Sequence, residues 1–429
     1  MDAHRSADLS TGVVVFGIVM TASSYAMKPI LDPRIWPVWL ALGLFFLLFP
    51  ALLRLLSSGF HWRSVAVYLS LVGTIELLNL MNLSEPLEFR MMMHRYICYA
   101  ICAAGIVYGY ESMDDLREFP GLAHVLTAGF SIVVAGTWLR SAGAAVAGVR
   151  FVGDSEMLTP VGVGYTFGVM ACVSAAFMLT EQRLAFRALH VVAYCACVLA
   201  ILSTGSRGSA VFSLLIVAAG IVIRLRSFED GLRYSLLFIA LLIVFGGVVM
   251  INSYASSQMD LMLRRFEFIS RGSVDMSIVE RTDKQLAYYR AIDSWILTGL
   301  REYDFNYPHN IFFECLLRFG IVGFGLIAAV LFSVYRAFRN LRISFSSPVV
   351  WVISSVGFFS LLIVQVNLML EHARWLWLFV GYWGVKEVQQ MRFGRMEHSF
   401  HSADDDDEEL NSPFGELRAG RSLENAQYQ

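Results

Sequence analysis

The sequence predicts an all-α, polytopic integral membrane protein, and three observations carry that prediction. Hydrophobic residues make up 57% of the 429, with a mean hydropathy of +0.59. Charged residues are 16%, against roughly 25% in an ordinary soluble domain. Apolar runs of about 20 residues, the length a helix needs to cross a bilayer, recur from the N-terminal region to beyond Trp383. The formal net charge of -2 adds little, because acidic residues crowd into the tail.

About twelve spans follow from the hydrophobic pattern. They fall near 11–28, 36–57, 64–83, 95–110, 120–139, 159–180, 187–203, 208–224, 233–251, 309–335, 348–370 and 374–390. The first run lacks a small-residue cleavage site, so it reads as a span rather than a removable signal peptide. With the N-terminus in the cytoplasm, the inner loops carry the larger share of arginine and lysine, among them Arg54, Arg183, Arg187, Arg224, Arg336 and Arg339. The short outer loops hold fewer, among them Lys28, Arg34, Arg140 and Arg374. The positive-inside rule then puts both termini in the cytoplasm and the one long loop, 252–308, on the outer side. All six cysteines fall in spans, a placement that suits neither a disulfide framework nor a zinc site.

The long loop has local order of its own. Ser277-Ile-Val-Glu280 has the form of a capping box, apolar residues continue through Leu286, Tyr289 and Trp295 or Ile296, and Gly299 stands where the helix should stop. Before it, Met259 to Arg271 reads as an amphipathic helix lying on the membrane face. Asn306 is the expected cap of the tenth span and Pro308 its first-turn residue. The membrane domain thus covers 1–395. Beyond it, 396–429 contains the acidic run Asp404–Glu409 and reads as a disordered cytoplasmic tail.

The residues with chemical potential gather on the predicted outer side. His309 opens the tenth span, where the positive end of the helix dipole favours a neutral ring able to take a proton; a histidine anchoring a helix at the lipid headgroups is the other reading. Arg207 lies in Ser203-Thr-Gly-Ser-Arg-Gly-Ser209, a short turn whose amides and guanidinium suit an anion, though a plain tight loop reads the same way. Arg281 sits early in the loop helix beside Glu280 and Asp283, as a ligand for an anion or as a surface ion pair. Glu314 and Arg318, four apart, can pair along the tenth span, and such charges predict a wet cavity. Gly320, Gly323 and Gly325 offer a bare face for close helix contact. Glu371, His372 and Arg374 form a second polar cluster at the outer mouth of the last hairpin, and His94 is a further outer histidine.

His309-Asn310, nine residues, then Gly320-x-x-Gly323 resembles the His-Asn-x9-Gly-x-x-Gly signature of the bacterial O-antigen ligase and O-antigen polymerase superfamily. The Ser206-Arg207-Gly208 turn and an arginine on the periplasmic-loop helix, here Arg281, are similar to that family's other markers. The resemblance implies a periplasmic glycosyltransferase, with a catalytic core at about 160–335, that uses neither metal nor other cofactor, and whose donor is a glycan on undecaprenyl diphosphate. Arg207 and Arg281 would bind the diphosphate, His309 would deprotonate the acceptor hydroxyl, and Asn310, Glu314, Arg318, Gly320 and Gly323 would support them. The acceptor would be lipid A–core in a ligase or a growing polysaccharide in a polymerase; one long loop directly before the histidine leans to the ligase layout. Membrane lipids are the expected surroundings and nucleic acid has no place. A lipid-linked glycan transporter without catalysis is the rival, with the same arginines lining a translocation path.

Overall fold

The computed structural model describes residues 2–28, 31–32, 34–57, 89–110, 120–145, 160–224, 276–300, 310–341, 347–365 and 373–386, with scattered single residues between them. Every regular element among these residues is helical. In order they are α1 (Asp2–Met27), α2 (Ile35–Ser57), α3 (Phe89–Tyr110), α4 (Gly121–Ala145), α5 (Pro160–Thr180), α6 (Leu184–Thr204), α7 (Arg207–Arg224), α8 (Met276–Arg290), α9 (Ile292–Trp295), α10 (Ile311–Phe319), α11 (Ile321–Leu341) and α12 (Pro348–Val364). A last helix, α13, starts at Arg374 and runs through Gly384.

Among the described residues, five segments are long and apolar enough to cross a membrane: Ile35–Leu56, Gly121–Arg140, Val161–Thr180, Leu184–Thr204 and Ile321–Asn340. Thr11–Met27, Gly208–Arg224 and Pro348–Val364 are shorter apolar helices. The protein is therefore all-α with helices of membrane-crossing length. The expected spans at 64–83 and 233–251, the acidic run and most of the expected loop helix at 259–271 lie outside the described residues. Within that loop helix, Arg264 reaches back to Asp260 at 2.8 Å, the i,i+4 pairing of a helix face.

Residues Met1–Gly384 form one compact unit; Val385–Gln429 forms a second, described only at Val385 and Lys386. The first unit is organised around α5, which packs against α1, α6, α7 and α12. The reason is compositional. Its sequence, PVGVGYTFGVMACVSAAFMLT, is dominated by small residues that let neighbouring backbones approach closely. Phe167, Val169 through Val173 and Ala175 through Met178 have no exposed surface. A Cβ on Gly168 would overlap the Phe359 ring of α12, and one on Gly164 would overlap Ser206. The α1–α2 hairpin uses the same device: a Cβ on Gly17 would lie 2.6 Å from the Leu47 amide nitrogen, and one on Gly43 2.7 Å from that of Thr21. Bulkier apolar residues take the outside. Phe45, Leu52, Leu53 and Leu56 of α2, with Phe324, Leu331 and Phe338 of α11, are exposed in rows that suit hydrocarbon.

Candidate functional site

The expected tenth span, 309–335, is two helices rather than one. α10 ends at Phe319, Gly320 turns with φ +54°, and α11 starts at Ile321. The cap also differs from expectation. Asn310, in extended conformation, accepts a hydrogen bond from the Phe313 amide at 3.0 Å, so it and not Asn306 starts the helix. Ser277 likewise lies one residue inside α8, which begins at Met276.

The break exists because another part of the chain occupies it. Gly299 has φ +84°, and a Cβ there would overlap the Arg318 carbonyl; a Cβ on Gly320 would overlap the Leu297 carbonyl. Two main-chain hydrogen bonds close this clasp, Leu300 N–H to Leu317 O at 2.7 Å and Ile321 N–H to Leu297 O at 3.3 Å. Trp295, buried, sets its ring edge-on to Phe313 at 5.8 Å and donates its indole N–H to the Tyr288 carbonyl at 2.9 Å. Tyr288 also meets Phe313, at 6.2 Å. The helix carrying Arg281 is thereby fixed on the helix that Asn310 caps. Gly323 packs on the Cys315 carbonyl, whereas Gly325 faces open space. The glycines therefore do not form the single bare helix face expected of them: they permit a turn and a fold-back.

Glu314 and Arg318 pair as their spacing predicts, Nη2 to Oε1 at 2.7 Å. Both members of the pair are shielded from bulk solvent. Their side chains are 0% and 8% exposed, so each charge is neutralised by the other instead of by water.

His309 itself lies outside the described residues, and Arg207 and Arg281 are described by their backbones alone. Arg207 is the first residue of α7 rather than part of a loop. Gly205, φ +69°, terminates α6, and Ser206 bonds Ser209 at 2.9 Å. This turn sits on Gly164 at the N-terminal end of α5, close to where Tyr25 of α1 packs on Gly162. Tyr165, next in the chain, shares a 2.6 Å hydrogen bond with Ser360 of α12. The Arg207 turn thus belongs to the neighbourhood of α5, while Arg281 and Asn310 belong to the clasp.

A cluster at the opposite end of α5 escaped the sequence reading. Glu181, between α5 and α6, lies 2.7 Å from His124 Nε2, and His124 Nδ1 lies 2.9 Å from His190 Nε2. Phe186 stacks on His124 and Phe177 on His190, so both rings are enclosed. Burial would raise the Glu181 carboxyl, but hydrogen bonds from the Arg183 side chain and amide, with His124 and Arg183 close by, outweigh it and hold the pKa at about 2. An ionised Glu181 only accepts, which puts the His124 proton on Nε2 and makes His190 the donor to His124. The cluster ties α4 to the α5–α6 turn. Nothing in the spacing of 124, 181 and 190 announces it, because helix packing alone brings the three together.

Comparison with known proteins finds no matching family model, no matching curated protein and no matching solved structure.

Proposed function

We propose that this chain is a glycosyltransferase of the periplasmic face of the bacterial inner membrane, with about twelve spans and both termini cytoplasmic. It moves a glycan from an undecaprenyl-diphosphate donor to a sugar hydroxyl, as an O-antigen ligase does. The acceptor oxygen attacks the anomeric carbon while His309 takes its proton; the bond from that carbon to the phosphate oxygen breaks, and undecaprenyl diphosphate departs with the electron pair. Arg207 and Arg281 hold the diphosphate before the step and stabilise its charge after it. No metal is assigned a part.

The observation that carries the reading is the clasp. The loop helix bearing Arg281 is locked by main-chain hydrogen bonds and the buried Trp295 onto the helix that Asn310, the residue after His309, caps. Such rigidity suits a site that must hold a base and a leaving-group cation at a fixed separation. The residue chemistry agrees: a helix-terminal histidine with two permanent cations fits a reaction that releases a diphosphate.

A lipid-linked glycan profile of a deletion strain tests the proposal. Loss of a ligase leaves long glycans on the carrier. Single repeats would instead identify the polymerase branch of the same chemistry, and repeats facing the cytoplasm would identify a transporter. An unchanged profile would overturn all three.

A further inference from the structure

The polar cluster around Arg374 and the histidine at position 94 play no part in the proposed chemistry, yet the fold brings them together. α3 and α13 run parallel and interlock through glycine. A Cβ on Gly105 would overlap the Leu378 carbonyl, and one on Gly381 would overlap the Cys102 carbonyl. That register sets Arg374 level with the stretch Arg95–Ile101, about a turn from His94. The Arg374 charge acts on both His94 and Cys98, and that of Lys28, just beyond the end of α1, acts on His94 as well.

Tyr165 links this cluster to the Arg207 turn. Its hydroxyl accepts from the Trp375 amide, next to Arg374, and shares the 2.6 Å bond with Ser360. One residue before it, Gly164 supports Ser206, and Gly162 supports Tyr25 near Lys28. The end of α1 and the starts of α3, α5, α7 and α13 therefore meet at one end of the bundle. Lys28 Nζ lies over the Trp36 ring at 5.3 Å, and Arg95 is 3.6 Å from Glu76, a carboxylate that also accepts from Tyr99 at 2.5 Å. Burial first, then Arg374 and Lys28, push the His94 imidazole down to about 4. Burial disfavours any charge there, but the two cations beside His94 favour an anion over a proton.

We propose that Arg374, with Lys28 and His94, forms a phosphate-binding site for a lipid headgroup at the end of the bundle where Arg207 opens α7. Arg374 supplies a fork for two phosphate oxygens, Lys28 a point charge, and neutral His94 one directed hydrogen bond. A headgroup is the fitting ligand because its acyl or prenyl chain can stay among the apolar helices while the phosphate meets cations gathered at their ends. The phosphate can come from a polyprenyl diphosphate or a glycerophospholipid. The assignment does not depend on the transferase reading, because binding is measured without turnover.

The test uses the purified full-length chain in a non-ionic detergent, with binding read by native mass spectrometry. Undecaprenyl diphosphate and phosphatidylglycerol are the two probes, and Arg374→Gln, Arg374→Lys and Lys28→Gln the variants. Arg374→Gln should weaken at least one probe about tenfold, the loss expected of a charge-assisted pair, with Arg374→Lys only partly restoring it. A loss confined to undecaprenyl diphosphate names the diphosphate lipid; a loss confined to phosphatidylglycerol, or equal for both, names a headgroup phosphate in general. Because Arg374 lies beside the Tyr165–Ser360 pair, Lys28→Gln serves as a second variant remote from that pair, and it must weaken the same probe. Wild-type affinity for both probes in the Arg374→Gln and Lys28→Gln proteins would overturn the site.

Discussion

At the scale of single residues, the two charges inside α10 and the histidine before it invite opposite tests. Glu314 and Arg318 are buried together, so removing one takes a close counter-charge from the other. Arg318→Met should destabilise the protein by about 3–5 kcal/mol, and adding Glu314→Leu should recover most of that loss, because an apolar pair has no charge to strand. Unfolding in mixed micelles measures both; equal stability of single and double variants would show that the pair is not coupled. His309 is tested by turnover instead. As a general base, its replacement should slow transfer by about 10²–10⁴-fold with donor affinity nearly unchanged, and His309→Ala and His309→Gln should behave alike. An active glutamine variant would make His309 a helix anchor.

Glu181 adds a pH dependence. Its folded pKa, about 2, lies below the ordinary 4.5, so its contribution is complete above about 4.5 and disappears as pH falls toward about 2. Acid unfolding of the wild type should therefore steepen across that window, and Glu181→Gln should flatten it. Identical acid profiles for the two proteins would exclude the carboxylate. Glu314–Arg318 was legible in the sequence, since helix geometry alone brings i and i+4 together. The His124–Glu181–His190 cluster was not, since its members come from two helices and a turn.

At the scale of elements, the clasp shows where pattern reading stops. Gly299 as a stop and Trp295 on the apolar stripe follow from the loop sequence, but the break at Gly320 does not. The apolar run at 309–335 reads as one helix, and only the arrival of the Leu297–Leu300 segment explains why two shorter ones are better. The extra turn is compensated by two cross-segment hydrogen bonds and the burial of Trp295. Gly299→Ala and Gly320→Ala should each open it, because both demand a positive φ and both would drive a methyl group into a carbonyl. A red shift of Trp295 emission and faster proteolysis within 276–300 would report the opening. Protection equal to wild type in both variants would mean that the glycines are incidental.

At the scale of the whole molecule, composition predicts the class and the bundle bears it out: the protein is all-α, with apolar helices of membrane-crossing length. Sidedness follows from charge distribution and is checked by fusion. A reporter active only in the periplasm should work when inserted within 255–305 and fail when fused after Arg395. The reverse pattern would place the clasp and the Arg207 turn on the cytoplasmic side and remove the proposed chemistry with them.

What the sequence determined by itself is what depends on short range: which of the described segments are apolar helices, where several of them begin or end, and which charges share a helix face. These follow from hydropathy and the 3.6-residue period, both of which act over a turn or a span. Tertiary structure alone decided that α5 is the central helix, that Gly299 meets Gly320, and that Arg374 lies near His94 at the end of the bundle where α7 begins. Each of these depends on small residues allowing two backbones to touch, and a glycine in a sequence does not say which distant segment will fill the space it leaves.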